Sequence, residues 1–340
     1  MRQKLLLGVW IATIGLQAVA EEPCFYGDAC GCEEPLYYTS LEYLYWKAWP
    51  EALLFAVDGL SVSAGQQGTG SFQKGSWDSG VRATVGRTFC QESFPWNLEA
   101  TYTWFKTSST DTRHAGSLPL LPTMLDTAFS SPGAPGSPIS KISDAWHLSY
   151  QIADVTFAKA WGEGLWAWSP YLGARGALIS TKSHIHTLYT NPAPNVTDDI
   201  QKSDSKECGL NGGIGMQLHF TPALSFCSSG GLSVLWAWNQ LHFSYSDSAA
   251  AVYDNVEDSF SSLQMVFDAA VGLEYARLLD CCFFHQGCWG CRLSWEFHYW
   301  PEQEKFLMLT GANDEGVQNI FVSSSALYVQ GLSLRLFLNW

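Results

Sequence analysis

The chain contains ten cysteines, whose chemistry depends on neighbouring ligands and on the redox state of the compartment. The tightest group is Cys281-Cys282 followed by Cys288-Trp289-Gly290-Cys291, a spacing compatible with disulfides, a zinc site or a redox motif. Zinc is disfavoured because no histidine pair stands nearby at the usual spacing. A redox enzyme is disfavoured because the motif does not open the helix of a βαβ unit. Disulfides are the expected chemistry if the chain is exported.

Two histidines, His184 and His186, stand two residues apart near Asp198 and Asp199, in a stretch whose pattern predicts a long loop. Imidazole and carboxylate groups together can bind a metal ion, but a solvated loop is the simpler interpretation. Asp, His and Ser side chains gathered where strands leave a membrane would indicate a rim enzyme. The sequence contains such residues without a spacing that selects this alternative. We therefore expect no catalytic, metal or cofactor site.

The elements that must position these groups are β-strands, because apolar residues alternate with other residues over long stretches. In the clearest case seven apolar residues between Leu263 and Tyr275 share one face, and Asp268 and Glu274 lie on the other. A helix would bring apolar residues round every three or four positions, so this period of two excludes one. The ten segments with this pattern are 36–49, 77–87, 96–104, 146–157, 171–180, 210–220, 232–245, 263–275, 291–299 and 326–340.

One of these segments, 146–157, changes the parity of its apolar residues near Ala153. Such a change indicates either a β-bulge or a strand that continues beyond the membrane.

The connections between the segments alternate in length along the chain. Short links are predicted near 91–95, 162–164, 221–231 and 280–290, and long ones at 50–75, 107–144, 182–205, 247–258 and 301–324. This alternation is typical of outer-membrane barrels with an even number of strands. The sequence therefore predicts an all-β fold, a transmembrane antiparallel up-and-down β-barrel of about ten strands. Long extracellular loops, short periplasmic turns and two periplasmic termini complete the prediction.

An export signal at the amino terminus agrees with this compartment. Arg2 and Lys4 precede an apolar run, and Ala18-Val19-Ala20 provides a cleavage site. We therefore expect a signal peptide at 1–20, a periplasmic cysteine-rich segment at 21–35 and a barrel at 36–340 in the cell outer membrane. The net charge of -14 argues against a nucleic-acid partner. An aromatic content of 14% fits the girdles of a barrel, with a secreted β-sandwich as the alternative.

Charged residues between the apolar positions should face the lumen if the apolar stripes face lipid. Both signs occur, so they either form salt bridges that fill a narrow interior or create a field along an aqueous path. The lumen-facing candidates are Glu42, Asp78, Arg82, Glu99, Arg175, Asp268, Glu274, Arg292, Glu296 and Arg335.

On this topology only Cys208 falls near the outer rim, and the other nine cysteines lie on the periplasmic side. Because the periplasm is oxidising, we expect local disulfides that pin the turns and the amino-terminal segment. The candidates are Cys24, Cys30, Cys32, Cys90, Cys227, Cys281, Cys282, Cys288 and Cys291.

Three stretches carry a family resemblance: the aromatic strand Leu41–Ala48, the segment Ser169–Ala177 and the glycine-rich Gly212–Gly215. They resemble the major-outer-membrane-protein-like, pore-forming family of Legionella and chlamydia-related bacteria. The resemblance implies an integral barrel that conducts small solutes and has no catalytic residues. It also implies that cysteines can cross-link the protein into an envelope network. The terminal Trp340 replaces the phenylalanine more usual in barrel proteins.

The expected function is porin-like passage of small solutes together with a structural role in the envelope. The alternative is a non-conducting surface barrel whose loops act in adhesion or ligand binding. Expected partners are outer-membrane lipid, small solutes, disulfide-linked envelope proteins and the barrel-assembly machinery. We expect the barrel-assembly machinery because the terminal strand resembles the signal that it recognises. The apolar face of this strand contains Leu332, Leu334, Leu336, Leu338 and Trp340.

Overall fold

A computed structural model describes residues 36–51, 53–58, 69–89, 96–115, 120–122, 139–190, 195–248, 252–281, 284–310 and 319–340. The predicted signal peptide at 1–20, the segment at 21–35 and Cys24, Cys30, Cys32, Cys90 and Cys282 lie outside these residues.

Fourteen β-strands make up almost all of the described chain. They are β1 (Leu36–Pro50), β2 (Leu54–Asp58), β3 (Thr69–Phe72), β4 (Trp77–Phe89), β5 (Trp96–His114), β6 (Leu120–Pro122), β7 (Ile139–Lys159), β8 (Trp161–Glu163), β9 (Trp166–Tyr189), β10 (Asn195–His219), β11 (Leu224–Asp247), β12 (Val252–Cys281), β13 (Phe284–Thr310) and β14 (Asn319–Asn339).

Ten of these strands form one closed antiparallel ring, which confirms the predicted barrel. The order is β1-β4-β5-β7-β9-β10-β11-β12-β13-β14, and β14 pairs with β1 from Tyr38↔Asn339 to Pro50↔Leu327. The last strand therefore pairs with the first and closes the ring. We call the end of the barrel that carries Leu36 and Trp340 the terminal end, and the opposite end the loop end.

Four short strands remain outside the ring. The strand β8 pairs with the start of β9, and β2, β3 and β6 form a separate small sheet in the connections at the loop end. Leu53, Phe55 and Ala56 are buried and belong to the same hydrophobic core as residues inside the barrel. The small sheet therefore caps the loop end of the core.

The outward face of the wall is apolar between two levels of aromatic residues. Leu41, Leu263 and Leu336 are 59%, 62% and 56% exposed, as expected of side chains that meet lipid. The girdle near the terminal end contains Tyr37, Phe89, Trp96, Phe157, Trp168, Tyr275, Trp289 and Trp340, and the girdle toward the loop end contains Tyr45, Trp77, Trp104, Trp238, Tyr299 and Tyr328. Among the described residues, no helix is long and apolar enough to cross a membrane.

Several predicted loops are strands in the structure, so those boundaries are wrong. At the loop end β9 runs to Tyr189 and β10 begins at Asn195, inside the predicted loop 182–205. The connections predicted at 107–144, 247–258 and 301–324 are shortened in the same way. Beyond the lipid the outward face meets water, so the apolar alternation that marks a strand is lost although the backbone pairing continues.

Two predicted turns at the terminal end are also shorter than expected. The serine and glycine residues at 228–231 belong to β11 and pair with β10 and β12. The strand β13 already begins at Phe284. Small residues there resemble turn formers, but they are compatible with a strand whose inner face lines a cavity.

The parity change near Ala153 has its explanation in the length of β7. Pairing of β5 with β7 is continuous in register through Ala153, so the strand has no bulge there and extends beyond the lipid. Before the change, Ile142, Trp146 and Leu148 point into the barrel and are buried; after it, Val155 and Phe157 point outward.

Candidate functional site in the barrel lumen

A network of ion pairs crosses the lumen in the middle of the barrel, and Arg82 on β4 is its first centre. Its guanidinium binds Glu296 on β13 with two hydrogen bonds of 3.0 and 2.8 Å and Glu42 on β1 with one of 2.8 Å. Ser333 donates a further hydrogen bond of 2.6 Å to Glu296. Because β14 and β1 stand between β13 and β4 in the ring, the bonds between Arg82 and Glu296 link non-adjacent parts of the wall.

Arg175 on β9 is the second centre. It binds Asp154 on β7 at 2.7 Å and Asp268 on β12 at 2.5 Å, the latter across two intervening strands. His298 joins the two centres, because its Nδ1 lies 2.7 Å from Asp268 and its Nε2 lies 3.4 Å from Glu296. The two centres thus form one continuous layer of alternating charge across the interior.

All ten charged residues predicted to face the lumen stand at inward positions of their strands. Arg292 pairs with Glu274, and Arg335 lies 3.6 Å from Glu42. Glu99 and Asp78 accept hydrogen bonds from hydroxyl groups instead of arginines, from Tyr38 and Thr107 respectively.

Two members of the network were not among the predicted residues. Asp154 follows the parity change at Ala153, which obscures the side of the wall that it faces. His298 stands on the charged face of its segment, but a neutral histidine does not stand out as a lumen charge. Alternation with Glu296 was the signal that could have found it.

A polar cavity of about 390 Å³ lies between this layer and the terminal end. Its walls include Glu99, Thr101, Tyr171, Asn211 and Arg292, and the ion-pair layer forms part of its lining. Charges of both signs line this half of the lumen, and most of them already have a partner.

On the loop-end side of the layer, a hydrophobic core occupies the lumen together with buried polar side chains such as Gln201, Glu207 and Glu304. Trp46, Phe105, Tyr150 and Trp300 come from four different strands and have no exposed surface. Tyr150 packs against Trp46 and Trp300 with ring centroids 6.3 and 5.7 Å apart, and the Trp300 indole donates a 3.2 Å hydrogen bond to the Tyr150 hydroxyl. Leu235, Val266 and further buried residues extend this core to β9, β11, β12 and β14. These described side chains pack against one another across the lumen at this level.

The cysteine predictions are only partly within reach of the structure. Cys227 and Cys288 face inward, whereas Cys291 points outward from the other face of β13. Cys288 and Cys291 consequently cannot bridge each other or share one zinc ion. Cys227 and Cys291 are thiols, as is the outward-facing Cys208, and the disulfides predicted for the first two are absent from the structure. Cys281 ends β12.

The histidine pair lies on the strand β9, beside Asp198 on β10, and not in a loop, which corrects the prediction. His184 and His186 each place a ring nitrogen 2.8 Å from the same oxygen of Asp198 on the outward surface. Asp199 points inward, away from them. In the described part of the chain, no group of three or more potential ligands has a geometry suited to a metal ion.

Comparison with known proteins adds a family to this geometry. A family model described as the Legionella pneumophila major outer membrane protein precursor matches residues 29–303. The chain belongs to this family. Its place is therefore the outer membrane, in agreement with the apolar belt. Comparison of the sequence with curated proteins finds no match.

Comparison with solved structures finds chains that follow a partly similar course. The outer membrane protease OmpT from Escherichia coli is 6% identical with a TM-score of 0.42, and the alignment covers 90% of this chain and 96% of that one. A major outer membrane protein from Thermus thermophilus is 12% identical with a TM-score of 0.33, covering 90% and 100%. A Pseudomonas aeruginosa FadL homologue is 6% identical with a TM-score of 0.29, covering 93% and 92%.

Proposed function

We propose that the protein is a structural barrel of the outer membrane whose resting lumen is closed to solutes. The observation that carries this proposal is the hydrophobic core around Trp46, Tyr150 and Trp300, which no solvent reaches. Protein interiors packed in this way leave no path for a hydrated ion. The role we assign is mechanical and protective, with the terminal end in the periplasm and the loop end outside.

A non-enzymatic role is part of this proposal. The inward carboxylates of the ion-pair layer bind arginines or His298, which suits them to rigidify the wall. His184, His186 and Asp198 stand on the outer surface and not in a cleft that excludes water.

Porin-like passage is the second candidate, and the polar cavity favours it. Half of the lumen already has the lining of an aqueous path, so passage would require that the ion-pair layer open and that the core on the loop-end side be displaced. Barrels of ten strands lie between filled eight-stranded barrels and open porins, which leaves both candidates physically reasonable.

A liposome-swelling assay separates the two candidates. Purified protein is reconstituted into liposomes and diluted into small sugars and amino acids. We expect swelling no faster than in liposomes without protein. Swelling whose rate falls with increasing solute size would overturn the closed-barrel proposal in favour of the porin. Heat-modifiable migration on gels verifies that the reconstituted protein is folded.

A further inference from the structure

The outward wall carries a row of basic side chains beyond the loop-end girdle. Cross-strand pairing places His147, Lys182, Lys202 and His242 directly opposite one another on β7, β9, β10 and β11. All four point outward from the barrel, as the alternation of burial along these strands requires. The whole chain has a net charge of -14, so a row of this composition is unusual for it.

Lys182 and Lys202 form the centre of the row and are an unfavourable pair by themselves. Like charges directly opposite on neighbouring strands destabilise a sheet. The positive charge of Lys202 is partly balanced by an ion pair with Asp204, two positions along the same strand. No acidic side chain among the described residues contacts Lys182. A bound anion would remove the repulsion between the two lysines.

The lipid belt begins two outward rows below this row, and Asp204, the ion-pair partner of Lys202, stands on the row between them. The second outward row from the basic row, toward the terminal end, contains Trp104, Leu178, Lys206 and Trp238. Lys202 precedes Lys206 by four residues, about 13 Å along the strand. A strand tilt of about 40° reduces this height to about 10 Å above the apolar boundary. Flexible lysine side chains that bend toward the membrane reach the headgroup layer from there.

We propose that Lys182, Lys202 and Lys206 bind the phosphorylated headgroup of a lipid in the leaflet at the loop end. The two upper lysines would hold the phosphate from above, and Lys206 would hold it from the girdle, where Leu178 and Trp238 contact the acyl chains. The three ammonium groups and the adjacent apolar belt match the two halves of such a lipid. This site is independent of whether the lumen is open or closed.

The test measures lipid bound to the folded full-length chain in a non-ionic detergent by native mass spectrometry. Phosphatidic acid, phosphatidylcholine with the same acyl chains and inorganic phosphate are the three probes. We expect phosphatidic acid to bind the wild type about tenfold or more tightly than phosphatidylcholine, as charged hydrogen bonds imply. The variant Lys182→Gln/Lys202→Gln should bind phosphatidic acid only as well as phosphatidylcholine.

The control variant, Lys74→Gln/Arg113→Gln, removes two positive charges from exposed loop-end positions outside the row and should retain the preference. Equal binding of the two lipids, or a preference retained in Lys182→Gln/Lys202→Gln, would overturn the proposal. Displacement of phosphatidic acid by inorganic phosphate at equal concentration would identify a free-phosphate site and also overturn it. In detergent without lipid, the lysine variant should melt close to the wild type, because the loss of the exposed Lys202–Asp204 ion pair and the loss of the lysine repulsion are both small and opposite in sign. A lower melting temperature would indicate a purely structural role and count against the site.

Discussion

At the scale of single residues, Arg82 is the side chain on which the ion-pair layer depends most. It neutralises both Glu42 and Glu296, and all three are largely withdrawn from water. A buried ion pair adds little net stability by itself, but removal of one partner leaves the other charge buried and uncompensated.

Arg82→Ala should therefore lower the free energy of unfolding by about 3–5 kcal/mol. Urea unfolding in detergent, followed by tryptophan fluorescence, measures this loss. Arg113→Ala removes the same side chain from an exposed loop-end position and should stay within about 0.5 kcal/mol of the wild type. Equal losses in both variants would show that the layer is not held together through Arg82.

Asp199 is a second residue with a measurable signature. Its carboxyl group is buried at the loop end, outside the lipid belt, opposite Ile185 and Tyr245. Burial, followed by the negative charge of Asp198, raises its pKa to about 8. The folded chain thus keeps a proton that the unfolded chain loses near a pKa of about 4. This contribution to stability is fully present below pH about 4 and is lost as the pH rises to about 8.

The free energy of unfolding of the wild type should consequently fall as the pH is raised from about 5.5 to about 8.5, with a slope of up to about 1.4 kcal/mol per pH unit from Asp199, and the melting temperature should fall with it. Burial also raises the pKa of Glu304 to about 8, which adds to the same trend. Asp199→Asn should reduce the slope, since Glu304 still contributes, and Asp258→Asn, at an exposed carboxylate, should leave it unchanged. A wild type that becomes more stable over this range would contradict the assignment.

At the scale of elements, closure of the ring depends on the close approach of β14 to β1. Gly331 lies opposite Trp46, and a Cβ atom there would stand 2.3 Å from the backbone oxygen of Tyr45 and 2.7 Å from the Cα of Trp46. The absence of a side chain gives the Trp46 indole its space in the core.

Gly331→Ala should lower stability by about 1–3 kcal/mol through overpacking at the seam. Gly230→Ala on β11 is the matched control, since a Cβ atom there meets nothing within 4 Å. Thermal unfolding of the two variants in the same detergent measures the difference. Variants of equal stability would mean that the seam is looser than the structure indicates.

The strands themselves were predictable wherever lipid touches them. All ten wall strands follow from alternation, because lipid demands apolar residues at every second position. The same rule loses its force beyond the lipid, which explains why the ends of β9 and β10 were predicted as a loop. The inward core was visible only as the parity change near Ala153.

The lumen was predictable in part for the same reason. Strand parity placed Arg82, Asp268 and Glu296 on the inner face. Which of them meet across the lumen depends on the stagger of the strands around the ring, and a one-dimensional pattern does not contain that information. The pairing of Arg175 with Asp268, across β10 and β11, is an example.

At the scale of the whole molecule, the barrel has two halves with different interiors. The half near the termini contains a polar cavity, and the half near the loops contains a hydrophobic core capped by the small sheet. The ion-pair layer separates them. We propose that a wall of this kind is rigid and closed, as a structural role in the envelope requires.

Single-channel recording in a planar lipid bilayer tests this closed state most directly. We expect no stable conductance steps from the folded wild-type protein. The variant Trp46→Ala/Trp300→Ala, which removes two aromatic side chains from the centre of the core, should conduct if it retains heat-modifiable migration. Discrete, reproducible conductance steps from the wild type would show that the resting lumen is open and would contradict the closed-barrel proposal.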